Sequence, residues 1–307
     1  MNHHMEKNMQ KPISVIAGAL VATLAAVCAQ AAELTGTLKK IKDSNTIALA
    51  HRESSVPFSY YDDKQQVVGY SHELALRIVE AVKKEINAPN LKVTLNPVTS
   101  STRIPLVVNG TVDLECGSTT NNYERQQQVA FSNTIFLIGT RLLTKKTSGV
   151  KDFPDLRGKT VVTTQGTTSE RLINKINSEQ KLGMKIVSAK DHGDSFLMVE
   201  SDRAVAFMMD DVLLYGEIAK SKKPGDYVVV GKPQSFEAYG CMLRKNDPQF
   251  KKLVDDTLAG IMKSGEISKI YDKWFMKPIP PRGVNMNFPM SPELAAVFKN
   301  PNDKPAE

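Results

Sequence analysis

Cysteine is scarce in this sequence: 307 residues hold three, Cys28, Cys116 and Cys241. Neither Cys116 nor Cys241 has a second cysteine or a histidine at metal-ligand spacing, so no metal is expected. No nucleophile motif and no cofactor fingerprint occurs either, and no cofactor is expected. After residue 31 there is no apolar run long enough to span a bilayer. A concentrated basic patch is also missing. The formal net charge is +7, yet the lysines lie scattered beside acids in "KKEINAPNLK", "DPQFKKLVDD" and "KSGEISKIYDK". Such segments read as solvated helix faces, and nucleic acid is not an expected partner.

The apolar run that does exist is at the start. Lys7 and Lys11 precede "ISVIAGALVATLAAV" (13–27), and Ala29-Gln30-Ala31 follows with small residues flanking one position. This is the pattern of a cleavable secretory signal peptide over 1–31, with a mature chain beginning at Ala32. The alternative, a lipid anchor on Cys28, meets Val27 where a small residue is wanted. The expectation is therefore an exported, soluble protein retained in a periplasm. In that oxidising compartment Cys116 and Cys241 read either as one disulfide or as two buried thiols.

The remaining chain alternates strands and helices. "NTIALAH" (45–51) and "LKVTLNPV" (91–98) read as strands, with a hairpin at 57–71 and a helix from Glu73 to about Ile86 between them. "TSSTRIPLVVNG" reads as a short helix with a Ser/Thr start, and "TVDLECGS" (111–118) as the next strand. A second series follows: strands at 160–164, 184–189 and 204–211, with helices between. This order predicts a parallel α/β sheet in each series. "TIFLIGTRLLTKK" and "EAYGCMLRK" (237–245) read as two extended crossings between the series. "NDPQFKKLVDDTLAGIMKSGE" is a helix capped by Asp247, with Pro248 in its first turn. The Pro/Asn-rich tail is expected to wrap the surface or fray.

Two α/β series joined by two crossings describe a bilobed protein with a cleft, and ligands in such sheets bind beyond the carboxyl ends of strands. Polar residues gather at those ends. Arg52 follows the first strand, Ser100 and Arg103 the second, and Ser118, Thr119, Thr120 and Arg125 the third, in "ECGSTTNNYER". The other series supplies "GTTSE" (166–170), "KDHGD" (190–194) and Asp210. Each could be a helix cap or a surface charge taken alone. Together, three arginines facing one cleft call for anions, because a guanidinium fork matches a carboxylate.

The segments "HRESSVPFSYYD", "ECGSTTNN", "AFSNTIFLIGTRLLTKK", "SAKDHGDSF", "AVAFMMDD", "EAYGCMLRK" and "YDKWF" resemble the amino-acid-binding branch of the periplasmic solute-binding proteins, specifically its members serving glutamate and aspartate import. The resemblance runs through essentially all of the chain beyond residue 31. It implies the bilobed, type II periplasmic-binding-protein-like α/β fold, two lobes joined by two hinge strands. One lobe would hold 32–137 with 240–307, the other 138–239, with hinges near 137–142 and 235–240. It implies that Arg125 clamps the ligand α-carboxylate with help from Thr168. Asp210 would take the α-ammonium beside Ser118 and Thr120, and Arg52, Ser100, Arg103 and His192 would meet the ligand side chain. The implied partners are L-glutamate, L-aspartate and an inner-membrane ABC importer of permease and ATPase subunits, the protein itself being a monomer. In this fold Cys116 and Cys241 lie on neighbouring strands, which favours the disulfide. Relatives that bind cationic amino acids carry an aromatic residue just before "PF". Here Ser55 and Val56 stand there, which points away from lysine, arginine or histidine.

Two other classes fit the scaffold. An exported dehydratase-like enzyme could use His192, Asp194 and Glu115 as acid and base. A sensor module could present bound ligand to a receptor. Neither has a motif of its own here.

Overall fold

The computed structural model describes Met1 and residues 33–305. The expected signal peptide over 1–31, its cleavage before Ala32 and the alternative at Cys28 lie outside the described residues. Among the described residues no helix is long and apolar enough to cross a membrane.

Two sheets organise the chain from Leu34 onward. The first has the strand order Lys92–Pro97, Thr46–His51, Leu114–Glu115, Met242–Arg244, Val129–Phe131. Ile47 pairs with Val93 and Leu49 with Leu114, both in parallel register. The second sheet runs Lys185–Ala189, Thr160–Thr164, Ala206–Asp210, Phe136–Lys145, Tyr227–Val230. Strands rich in Val, Ile, Leu and Thr suit such sheets, which carry helices on their faces and bury near-continuous apolar runs. The expectation of wholly parallel sheets is corrected. Met242–Arg244 runs antiparallel to both its neighbours, and so does Phe136–Lys145 within the second sheet. The reason lies in the crossings: each leaves one sheet and enters the other against the direction of its strands.

The crossings pair with each other. Phe236–Tyr239 runs antiparallel to the first part of Phe136–Lys145, with Tyr239 opposite Phe136 and Phe236 opposite Gly139. Phe136 and Tyr239 enter an aromatic cluster with Phe58, Tyr70, Tyr271 and Phe275, built of edge and stacked pairs at centroid distances of 4.4–6.4 Å. Each such pair stabilises by about 0.5–1.5 kcal/mol beyond its buried area. The crossing strands are thus anchored at their first-lobe end.

The disulfide forms. Cys116 and Cys241 are bonded with their Cα atoms 4.3 Å apart, although 125 positions separate them in sequence. The strand expected over 111–118 shrinks to Leu114–Glu115, because Cys116 turns into the bond and 118–120 begin the polar loop.

The first long helix, Tyr70–Glu85, begins three residues before the expected Glu73. Gly69 explains this. Its φ of +133° suits glycine, and a Cβ there would lie 2.3 Å from the Phe58 carbonyl oxygen. That close approach lets the Tyr70 N–H donate to Pro57 O and those of Ser71 and His72 to Phe58 O, satisfying the helix start without a side-chain cap. The helix Asp211–Lys220 was not anticipated; Asp211 starts it directly after the strand. The tail does wrap, but it also holds the helix Pro292–Lys299. Ser291 caps it, and its Leu294 and Phe298 are buried. Asn302 O then accepts from the Thr134 N–H at 2.7 Å, tying the tail beside a crossing strand.

Candidate functional site

Several of the strand-end residues named above meet where the two lobes face each other: Arg52 meets Asp191 and His192, and Arg125 meets Gly166. Arg52 leaves the end of Thr46–His51 and is fully buried (0 % exposed). Its Nη2 pairs with the Asp191 carboxylate of the second lobe and lies 3.5 Å from His192 Nε2. Arg52 Nε and Nη1 have no hydrogen-bond partner among the described residues. Arg103 Nη1 donates to Ser118 O at 3.0 Å and to Thr119 Oγ1 at 2.5 Å, while its Nε has no such partner. Thr119 Oγ1 in turn donates to Glu115 Oε2 at 2.7 Å. Ser100 Oγ is buried and also unpartnered. Arg125 Nη1 donates to Thr120 O at 2.9 Å, and its Nη2 reaches Gly166 O of the second lobe at 3.2 Å.

Unpaired, buried cationic donors are costly, since a guanidinium out of water must be compensated by acceptors. Burial, and then the neighbouring Arg125 and Arg52 charges against a favourable Glu115, lower the Arg103 pKa to about 9. It therefore still carries its charge at neutral pH. Burial and the adjacent Arg52 push His192 down to about 3, so its imidazole is neutral there. His192 Nδ1 meets Thr164 Oγ1 at 2.9 Å, leaving Nε2 on the Arg52 side.

Besides Asp191, the second lobe supplies Asp210. Asp210 ends the strand Ala206–Asp210, accepts the Tyr239 hydroxyl, and lies 3.4 Å from Ser169 Oγ and 3.5 Å from Thr140 Oγ1. Burial, then nearby Glu237, raise its pKa to about 8. Ser118 Oγ donates to Ser55 Oγ at 3.3 Å.

The placement of Thr168 is different in kind. Thr167 caps the helix Thr168–Glu179 by accepting from the Glu170 N–H, and Ser169 points to Asp210. Thr168 is half-buried and borders a groove with Thr120, Arg171 and Phe236. Its backbone N–H lies in the first helical turn, where no intrahelical acceptor exists. Of the acid–base set, His192 and Glu115 are buried but Asp194 is exposed, so the structure does not bring the three together.

Sequence reading gave Asp191 and Tyr239 no role of their own, and named Thr119 and Glu115 without their bracing contacts. Asp191 caps the helix His192–Glu200 and pairs with Arg52. Thr119 and Glu115 brace Arg103, and Tyr239 braces Asp210. The capping position in "KDHGD" was a signal for Asp191; nothing local pointed to Tyr239. A surface groove of about 430 Å³ lies elsewhere, between the helices Tyr70–Glu85 and Glu266–Phe275.

Comparison with known proteins places the chain in a family. Residues 47–277 match the family described as bacterial extracellular solute-binding proteins, family 3. The L-glutamate/L-aspartate-binding protein of Pseudomonas aeruginosa is 63% identical over 295 residues, covering 96% of this chain and 98% of that one. The glutamate/aspartate import solute-binding protein of Escherichia coli K12 is 62% identical over 297 residues, with 96% and 98% covered. Among solved structures, an ancestral arginine-binding protein bound to arginine superposes with a TM-score of 0.68 at 27% identity, over 75% of this chain and 98% of that one. With two mixed α/β sheets, paired crossings and a polar cleft at the strand ends, this chain belongs to the bacterial extracellular solute-binding proteins of family 3.

Proposed function

We propose that this protein captures L-glutamate and L-aspartate between two closing lobes and delivers them to an inner-membrane ABC importer of permease and ATPase subunits. The observation that carries the reading is the set of buried guanidinium nitrogens that no group among the described residues satisfies, Nε and Nη1 of Arg52 and Nε of Arg103, together with buried Arg125 and with Asp210 at the facing strand end. A dicarboxylic amino acid has two carboxylates and one ammonium, which this set complements. The naming of the P. aeruginosa and E. coli relatives supports it.

In this reading Arg125 and the backbone N–H groups of Thr120 and Thr168 hold the α-carboxylate. Asp210 takes the α-ammonium, with Ser118 and Thr120 beside it. Arg52, Ser100, Arg103 and neutral His192 meet the side-chain carboxylate. The lobes are 32–137 with 240–307, and 138–239, turning about 137–142 and 235–240. The protein works as a monomer in the periplasm and returns its ligand unchanged. Glutamate and aspartate differ by one methylene, worth about 1–3 kcal/mol in a pocket, so both fit one site.

The test is calorimetric titration of protein unfolded and refolded to remove carried ligand. One-to-one binding of glutamate and aspartate, recovered chemically intact, supports the reading. Binding of glutamine or arginine alone would overturn the charge argument, and conversion of either ligand would overturn the binding-protein class.

A further inference from the structure

Asp191 belongs to the second lobe, at the start of the helix His192–Glu200. Arg52 belongs to the first, at the end of Thr46–His51. Their side chains are 13% and 0% exposed and form an ion pair across the cleft. One residue on, the Gly193 N–H donates to Ser54 Oγ of the first lobe at 3.3 Å, and a Cβ at Gly193 would touch Ser54 at an ordinary 3.7 Å. These contacts join residues 139 positions apart and form only when the lobes meet. The pair uses Arg52 Nη2 alone, leaving Nε and Nη1 unpartnered. Asp191 therefore holds Arg52 without occupying all of its donors. Burial opposes its ionisation, yet Arg52 and the His192 N–H hold its carboxyl well below the usual carboxylate range, so the pair is intact at neutral pH.

We infer that Asp191 is a lobe-to-lobe latch: by pairing with Arg52 it stabilises the closed arrangement independently of which amino acid is bound. The inference rests on the binding reading above for its affinity consequence, but closure itself can be read without ligand. A latch acts by raising the fraction of binding-competent protein, so its loss weakens every ligand by one common factor. A residue that instead shaped the side-chain pocket would weaken glutamate and aspartate unequally.

The experiment uses Asp191→Asn and Asp191→Ser, both of which retain a side chain able to cap the helix. Spin labels at exposed Lys84 in the first lobe and Lys175 in the second report the interlobe distance in ligand-free protein. The expected result is a shift of both variants toward longer distances, with affinities for glutamate and aspartate falling together, on the order of tenfold. An unchanged distance distribution, or losses for the two ligands that differ by more than threefold, overturns the latch. Absence of binding by the unsubstituted protein would fail the proposed function while leaving the distance measurement to decide the latch.

Discussion

Tyr239 donates its phenolic hydroxyl to Asp210, and Tyr239 stands on the returning crossing strand directly opposite Phe136. The acid assigned to the ligand ammonium is thus held by a residue of the returning crossing strand. Thr140, on the other crossing strand, lies 3.5 Å from the same carboxylate and bonds Ser235 Oγ at 2.5 Å. Whatever changes the charge of Asp210 is felt by both crossings.

That arrangement gives ligand binding a proton signature. Without ligand, burial and Glu237 raise the Asp210 pKa to about 8, so at pH 7 it is mostly protonated. An ammonium beside it favours the carboxylate and lowers that pKa. Binding at pH 7 then releases a proton, and affinity weakens as pH falls below 8, by up to about tenfold per unit. Above pH 8 the site is already ionised and release vanishes. Calorimetry in buffers of different ionisation enthalpy counts the protons directly; a count of zero at pH 7 would remove Asp210 from the ammonium site.

Arg103→Ala and Arg125→Ala should each weaken glutamate binding by about 3–5 kcal/mol, since each leaves a buried carboxylate unpaired. Arg103→Ala should harm glutamate more than glutamine, because only glutamate presents a side-chain charge to it. Titration of both variants against both ligands checks this, and equal losses would place Arg103 away from the side-chain carboxylate.

Gly216, in the second-lobe helix Asp211–Lys220, faces the first-lobe backbone at Val56 so closely that a Cβ would lie 2.2 Å from the Val56 carbonyl oxygen. Alanine is the better helix former by about 1 kcal/mol. Gly216→Ala should therefore leave the ligand-free melting temperature unchanged or raised while lowering glutamate affinity at least tenfold, since closure now meets a clash. Opposite movement of the two readouts is the signature; a parallel loss of both would mean Gly216 serves only local packing.

Reduction of Cys116–Cys241, or the double change to serine, should cost about 2–5 kcal/mol of stability. Denaturant unfolding with and without reductant measures it. Because the bond lies within the first lobe, the ligand-bound form of the reduced protein should keep its affinity where it remains folded.

Much of this was legible from the chain alone. The three arginines could be found because each follows a strand, and strand ends in such sheets converge on one place. The helix Pro248–Lys263 announced itself by Asp247, which accepts from the Phe250 N–H. The direction in which a guanidinium spends its nitrogens was not legible. Arg52 Nη2 goes to Asp191 and Arg103 Nη1 to Thr119, and both choices depend on how loops distant in sequence approach. The antiparallel members of each sheet were missed for a similar reason, since strand direction follows from the crossings and not from the composition of a strand. The helix Pro292–Lys299 did carry a local signal, Ser291 before Pro292, but it was masked by the Pro/Asn-rich residues around it.

Met242–Arg244 lies between Leu114–Glu115 and Val129–Phe131 in the first sheet, so an interior strand of that sheet comes from late in the chain. A chain emerging from the ribosome by its amino end cannot complete this sheet until residue 244 has emerged. The second sheet, whose five-strand path spans Phe136 to Val230, can complete earlier. Closing so long a loop is entropically slow, and Cys116 must wait through 125 positions for its partner. The first lobe is thus begun first and finished last.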